Sequence, residues 1–299
     1  MMALIKKYAY PLLVGTLCLA LWLVPVLTGV RAQEAGFHDT ALAEGYPAPT
    51  HEGPGWDTPE EAVLYYLEGL NELNLGKMIS AYAVETYVEL FDLQAQLERI
   101  TVYSVNMVPR MPNAGSLLRQ INIETRKNEI VQSILWQISS ACLPGQDFST
   151  IIPFTGKENE ETVAEFLGRI TAAIESVDFS QLKFICFIPP ELIVEVYASE
   201  RNQKTMQAQS AHLHCLEVRS MIAVFTVSGN VGLLTCDAVR YDAGWFMLRT
   251  PGNSGWLLNL SAMSGGVVVM PLDEVLRLFA DLDAPQQELI MNLVGGLLF

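Results

Sequence analysis

The chain reads as an α+β protein, with N-terminal helices packed on a curved antiparallel sheet and a large helical insertion. Three observations predict this. Apolar residues recur at three- and four-residue steps from Thr58 to about residue 177. After Phe179 the pattern changes to short β-branched and aromatic runs separated by two- and three-residue turn signals. Helical spacing then returns from Pro271. Helices first and strands afterwards, without regular alternation, is the order of an α+β fold rather than an α/β one.

The first helix has a complete start signal. Thr58 is an N-cap, Pro59 stands at the first helical position, and Glu61 completes a capping box. Ala62, Val63, Tyr66, Leu67, Leu70 and Leu73 then form one apolar stripe. Asn74-Leu75-Gly76 interrupts it, and residues 77–84 resume as a second short helix. Residues 85–103 continue helical, with Tyr87, Val88, Phe91, Leu97 and Ile100 on one face. Two prolines and a glycine make residues 108–115 a loop.

Residues 116–142 predict a long helix burying Leu117, Ile121, Ile130, Ile134, Leu135 and Ile138, with 124–129 as its polar stretch. Residues 143–156 are a second loop. Residues 159–177 form an amphipathic helix with Val163, Phe166, Leu167, Ile170 and Ile174 inward.

The β-rich half opens with a strand at 182–188 (LKFICFI). Pro189-Pro190-Glu191 starts a short helix to about Ser199, extended through residues 203–209. Residues 212–227 read as strand, Ser228-Gly229-Asn230 as a turn, and 231–241 as the returning strand. A turn at Asp242-Ala243-Gly244 leads into GWFMLR (244–249), and 256–260 is a last strand. Residues 271–299 are a helical tail whose apolar end is too short to span a membrane.

The organisation in front of the domain is equally legible. Residues 1–32 carry Lys6 and Lys7 before an uncharged apolar run at 8–30, and Val30-Arg31-Ala32 suits a signal peptidase. The run 11–30 is 20 residues long, beyond a secretory core of about 7–15 and close to the roughly 20 that cross a bilayer. A cleaved leader is the first reading and a retained single-pass anchor the second. Both place the body outside the cytoplasm, secreted or at the cell surface. Leu17, not a small residue, stands directly before Cys18, so Cys18 does not make a lipoprotein signal. Residues 33–55, with Pro47, Pro49 and Pro54, form a linker, and 56–299 a single α+β domain with its helical insertion at about 104–181.

Net charge is −15, and the three charges of the leader are all positive, which leaves −18 on the remaining 267 residues. Such a surface repels phosphate backbones and anionic lipid, so nucleic acid is excluded as a partner and membrane contact is confined to residues 8–30 if uncleaved. Cys142, Cys186, Cys215 and Cys236 allow two disulfides in three connectivities. Buried free thiols are the preferred reading, because Cys186 and Cys236 sit in apolar strand-like runs. Without a C-x-x-C pair, neither a zinc knuckle nor a thioredoxin-type centre is supported.

The stretch TPEEAVLYYLEGLNELNLGKMISAYA (58–83) is similar to the opening of nuclear-transport-factor-two-like domains, the cystatin-like α+β cones, and RYDAGWFMLR (240–249) resembles their closing hairpin. The chain also resembles a group of exported proteins of Gram-positive gut bacteria. This resemblance implies a pocket between sheet and helices, used in the enzymatic members for an acid–base pair, commonly aspartate with histidine or tyrosine.

Candidate pocket residues are Tyr66, Tyr82, Asp237 and Trp245, with Tyr65 and Trp256 as further aromatics and Asp242 as turn chemistry. His212 and His214 are placed on one strand face, without a third metal ligand. No nucleophile elbow, phosphate loop, dinucleotide fingerprint or zinc-protease motif occurs, so no catalytic residue, metal or cofactor is assigned. The leading expectation is an exported, non-enzymatic binding domain for a small apolar ligand or an envelope protein. The alternatives are a small isomerase- or hydrolase-type pocket enzyme and a structural envelope protein.

Overall fold

The computed structural model describes residues 51–99, 113, 115–143, 162–192, 199–249, 266–280 and 283–294, all within one compact unit that spans residues 49–299. The expected leader, the linker before His51, Ile100, most of both loops, Trp256 and the strand at 256–260 lie outside the described residues.

Helix α1 (Pro59–Asn71) begins as its sequence dictates. The Glu61 N–H donates to Thr58 Oγ1 at 3.2 Å, and Glu61 Oε2 accepts from the Thr58 and Asp57 N–H groups. Ala62, Val63, Tyr66, Leu67 and Leu70 are buried, and each large apolar side chain so placed stabilises by about 1.5–3 kcal/mol. Leu73 departs from the expected stripe and is 65% exposed. It stands just past the helix end at φ 51°, and the Asn74 N–H reaches back to the Gly69 carbonyl at 2.8 Å. That Schellman-type ending rotates residue 73 off the buried face.

Asn74 then caps α2 (Leu75–Ser80). The continuous helix expected over 85–103 is two helices, α3 (Glu85–Leu90) and α4 (Leu93–Arg99). They divide at Asp92, whose carboxylate accepts from the Ala95 N–H at 2.9 Å and starts the second. Helix α5 (Ser116–Cys142) has the expected bounds. Helix α6 (Val163–Ser176) carries its own Thr162/Glu165 capping box.

Strand β1 (Lys183–Ile188) precedes α7 (Glu200–Leu213), so residues 212–214 are not strand as expected. His212 lies in the last turn of the helix and His214 sits at φ 46°, with the Cys215 N–H bonded to the Ser210 carbonyl. The alternation of His-Leu-His-Cys-Leu mimics a strand, but this second Schellman-type turn delays the strand to Glu217.

β2 (Glu217–Val227) and β3 (Asn230–Tyr241) pair over their whole length through a two-residue turn, Ser228-Gly229, with both residues at positive φ. β4 (Gly244–Arg249) and β5 (Val267–Met270) lie end to end along the far edge of β3, one on Asp237–Tyr241 and the other on Val231–Leu234. The five strands form one antiparallel sheet, and β5 was not foreseen from the sequence. Helices α8 (Leu272–Leu278) and α9 (Ala284–Val294) follow.

The sheet is covered on both faces. On one, Met221, Ala223, Phe225, Leu234, Cys236, Ala238, Trp245 and Met247 pack with α1 and α5. On the other, Ile222, Val224, Leu233 and Met270 pack with Val275, Phe279 and Ile290, while Val239, Tyr241, Phe246 and Leu248 pack with Leu213. Burial on both sides explains why β3 is almost uniformly apolar. The architecture is α+β, helices against an antiparallel sheet.

Candidate functional site

The expected pocket residues divide between the two sheet faces. Tyr66 from α1 and Tyr82, just after α2, meet edge to face with ring centroids 5.7 Å apart, and both are fully buried. Cys236 and Trp245 belong to the same cluster. Asp237 follows Cys236 on β3, and successive strand residues point to opposite faces. Its carboxylate therefore lies on the far side of the sheet from the tyrosines. There it accepts from Ser220 Oγ at 2.6 Å and from Arg249 Nε at 2.9 Å. Register makes this row: Ser220 and Arg249 are the cross-strand partners of Asp237, and the extra residue Leu248 in β4 sets Arg249 opposite it.

The tyrosine side is completed by a residue that sequence reasoning missed. The Tyr66 hydroxyl donates to Gln137 Oε1 of α5, which is 1% exposed, and Gln137 Nε2 lies 3.4 Å from Ser133 Oγ. Burial pushes the Tyr66 phenol well above its usual range, reinforced by Tyr82 and Cys236. Burial also raises the Cys236 thiol, reinforced by Asp237. Both groups stay protonated at neutral pH, so neither serves as a base.

Arg126 is the second missed residue. It stands in the stretch expected to be the polar, solvated part of α5, yet it is buried. Its guanidinium stacks over the Tyr87 ring at 4.3 Å and donates to the Ala83 and Leu248 carbonyls, with Glu129 at 3.5 Å. Nearby, the buried Tyr241 hydroxyl has no hydrogen-bond partner among the described residues. Burial raises this phenol too, then Cys215 and Tyr87, with Arg126 opposing. The signal was available: Ile123, Arg126, Ile130, Ile134, Gln137 and Ala141 recur at three- and four-residue steps and form the true inner face of α5. Leu117, Ile121 and Leu135, expected inside, are exposed.

The same inversion is stronger in α6. None of its residues is buried, and Val163, Leu167 and Ile174, expected inward, face outward. Phe166 and Ile170 are half-buried, and α6 lies against α5.

His212 is buried within α7, with Nδ1 3.1 Å from the Ala208 carbonyl, and His214 Nε2 lies 3.3 Å from Asp92 Oδ2. They share neither a strand nor a face. Among the described residues no three His, Cys, Asp or Glu side chains converge as a metal site requires, and all four described cysteines are free thiols.

No family model and no curated protein matches the chain. A solved structure with some likeness is a cystatin-like protein from Ruminococcus gnavus, at 12% identity and a TM-score of 0.39, covering 72% of this chain and 45% of that one. The chain thus spans less than half the length of that protein.

Proposed function

We propose that the chain is a divergent cystatin-like domain, exported through residues 1–32, that works without catalysis by binding another envelope protein. The observation that carries this reading is α6: a capped, self-contained helix with an apolar stripe of Val163, Leu167 and Ile174 turned to solvent. An exposed apolar stripe on a well-capped helix marks a contact surface. A pocket enzyme of the same fold would need Asp237 beside Tyr66 and Tyr82. The carboxylate instead stands across the sheet, bound by Arg249 and Ser220. A protein partner fits better than a small apolar ligand, because Tyr66 and Tyr82 pack on each other and Tyr66 on Gln137.

The test places a photoreactive residue at Leu167, or at Ala172 on the opposite side of α6, in the full chain in its native cell. The expected result is a covalent adduct with a second envelope protein from position 167 and not from 172. No adduct at 167, or the same adducts from both positions, overturns the reading.

A further inference from the structure

A reciprocal set of polar contacts joins residues 51–56 to the start of α3. Glu52 Oε2 accepts from the Val84 N–H at 2.9 Å and the Thr86 N–H at 3.0 Å, and its Oε1 meets the Thr86 hydroxyl. Glu85 answers in the other direction, accepting from the His51 N–H at 2.9 Å and the Glu52 N–H at 3.2 Å. Each carboxylate thus holds the backbone that bears the other. Further along, the Gly53 N–H donates to the Ser80 carbonyl at 2.8 Å, and Trp56 pairs with Trp245 on the edge of β4.

We propose that residues 51–56 are a proton-operated strap: uptake of a proton at Glu52 tightens the hold of this segment on α3 and on the β4 edge. The geometry admits the proton without losing a bond. Oε2 already serves two N–H donors as a carbonyl oxygen would. Oε1 faces a hydroxyl that donates to a carboxylate and accepts from a carboxylic acid equally well. Protonation also removes the repulsion between Glu52 and the buried Glu85.

Burial, reinforced by Glu85, raises Glu52 above its usual range, against the lowering contributed by its bonds from Thr86 and Val84. The docked segment therefore binds a proton more strongly than the released one. Docking is strongest below the ordinary carboxylate range and weakens as pH rises through the raised value.

Other charges among the described residues also face this joint. His51 Nε2 lies 3.9 Å from Glu124, which is bound to Lys127. On α3, Glu89 is paired with Arg119, and from α5 and β3 come Arg126 and the protonated Tyr241.

Hydrogen–deuterium exchange of the full chain, corrected for intrinsic rates, tests the strap. Between about pH 7.5 and about pH 4, below the ordinary carboxylate range, residues 51–57 and 82–86 should gain at least about twofold protection. The β2 segment around Phe225 should hold constant. Glu52→Gln, which mimics the protonated acid, should hold the acidic level of protection at both pH values, and Glu85→Gln should shrink the difference. Equal protection of the wild-type segment at both pH values, a Glu52→Gln profile that follows wild type, or a shift shared by every segment overturns the proposal.

Discussion

Trp56 and Trp245 exchange both backbone hydrogen bonds, N–H to carbonyl at 3.1 Å one way and 2.8 Å the other. A segment in front of the first helix is thereby the outer neighbour of β4. Tyr82 adds a parallel bridge to Met247 further along the same edge, with the Ala83 N–H bonded to the Met247 carbonyl at 3.1 Å. The edge that a terminal strand would leave open is closed by pieces of the helical half.

The close approach of these strands sets the first prediction. Gly55 has φ 85°, and a Cβ there would stand 2.2 Å from the Ala243 carbonyl oxygen. Gly55→Ala combines left-handed strain with a clash against backbone and should lower the unfolding free energy by about 2–4 kcal/mol. Urea denaturation measures it; a change under about 0.5 kcal/mol would contradict the pairing.

Leu73 offers the opposite case. It is an exposed residue in the left-handed conformation, where an L side chain costs about 1–2 kcal/mol. Leu73→Gly should raise stability by about 0.5–1 kcal/mol after the added flexibility of the unfolded chain is counted. A thermal melt that falls instead would remove the Schellman-type ending from the account.

Tyr66 and Gln137 are predicted to be coupled. Tyr66→Phe leaves the buried Gln137 carbonyl without this donor and should cost about 1–3 kcal/mol. Adding Gln137→Leu removes that acceptor as well, so the double variant should lose clearly less than the two single losses together. Strict additivity in equilibrium unfolding would show that the two side chains act independently.

Arg126 should be the most sensitive position on α5. Replacing it with Met leaves the Ala83 and Leu248 carbonyls without their shared donor, at a cost of about 3 kcal/mol or more. Lysine should not rescue it, since a single ammonium lacks the planar face that stacks on Tyr87 and the fork that reaches two carbonyls. Chemical unfolding of both variants tests this, and a Lys variant of wild-type stability would refute the fork geometry.

Cys186 is half-buried on β1, and burial pushes its thiol up to about 11. At pH 8 roughly one molecule in a thousand then carries the thiolate, so native alkylation should be about a hundredfold slower than for a free cysteine. Mass-resolved iodoacetamide labelling reads it directly, and labelling at the free-cysteine rate would mean that β1 is not seated as described.

The order of elements was readable from sequence because its signals are local. The Thr58–Glu61 box, the turn at Ser228-Gly229 and the apolar, β-branched runs of β2 and β3 all act within a few residues. They determine helices first, an antiparallel sheet after, and hence the α+β class. Periodicity says which residues share a face; it does not say whether that face is covered. Only the tertiary structure turned Arg126 and Gln137 inward, left the α6 stripe outward, put Asp237 across the sheet from Tyr66, and tied Glu52 to α3. The contacts of Arg126, Gln137 and Glu52 join residues 30 or more apart along the chain, as in the Tyr66–Gln137 separation of 71. No local pattern encodes such contacts.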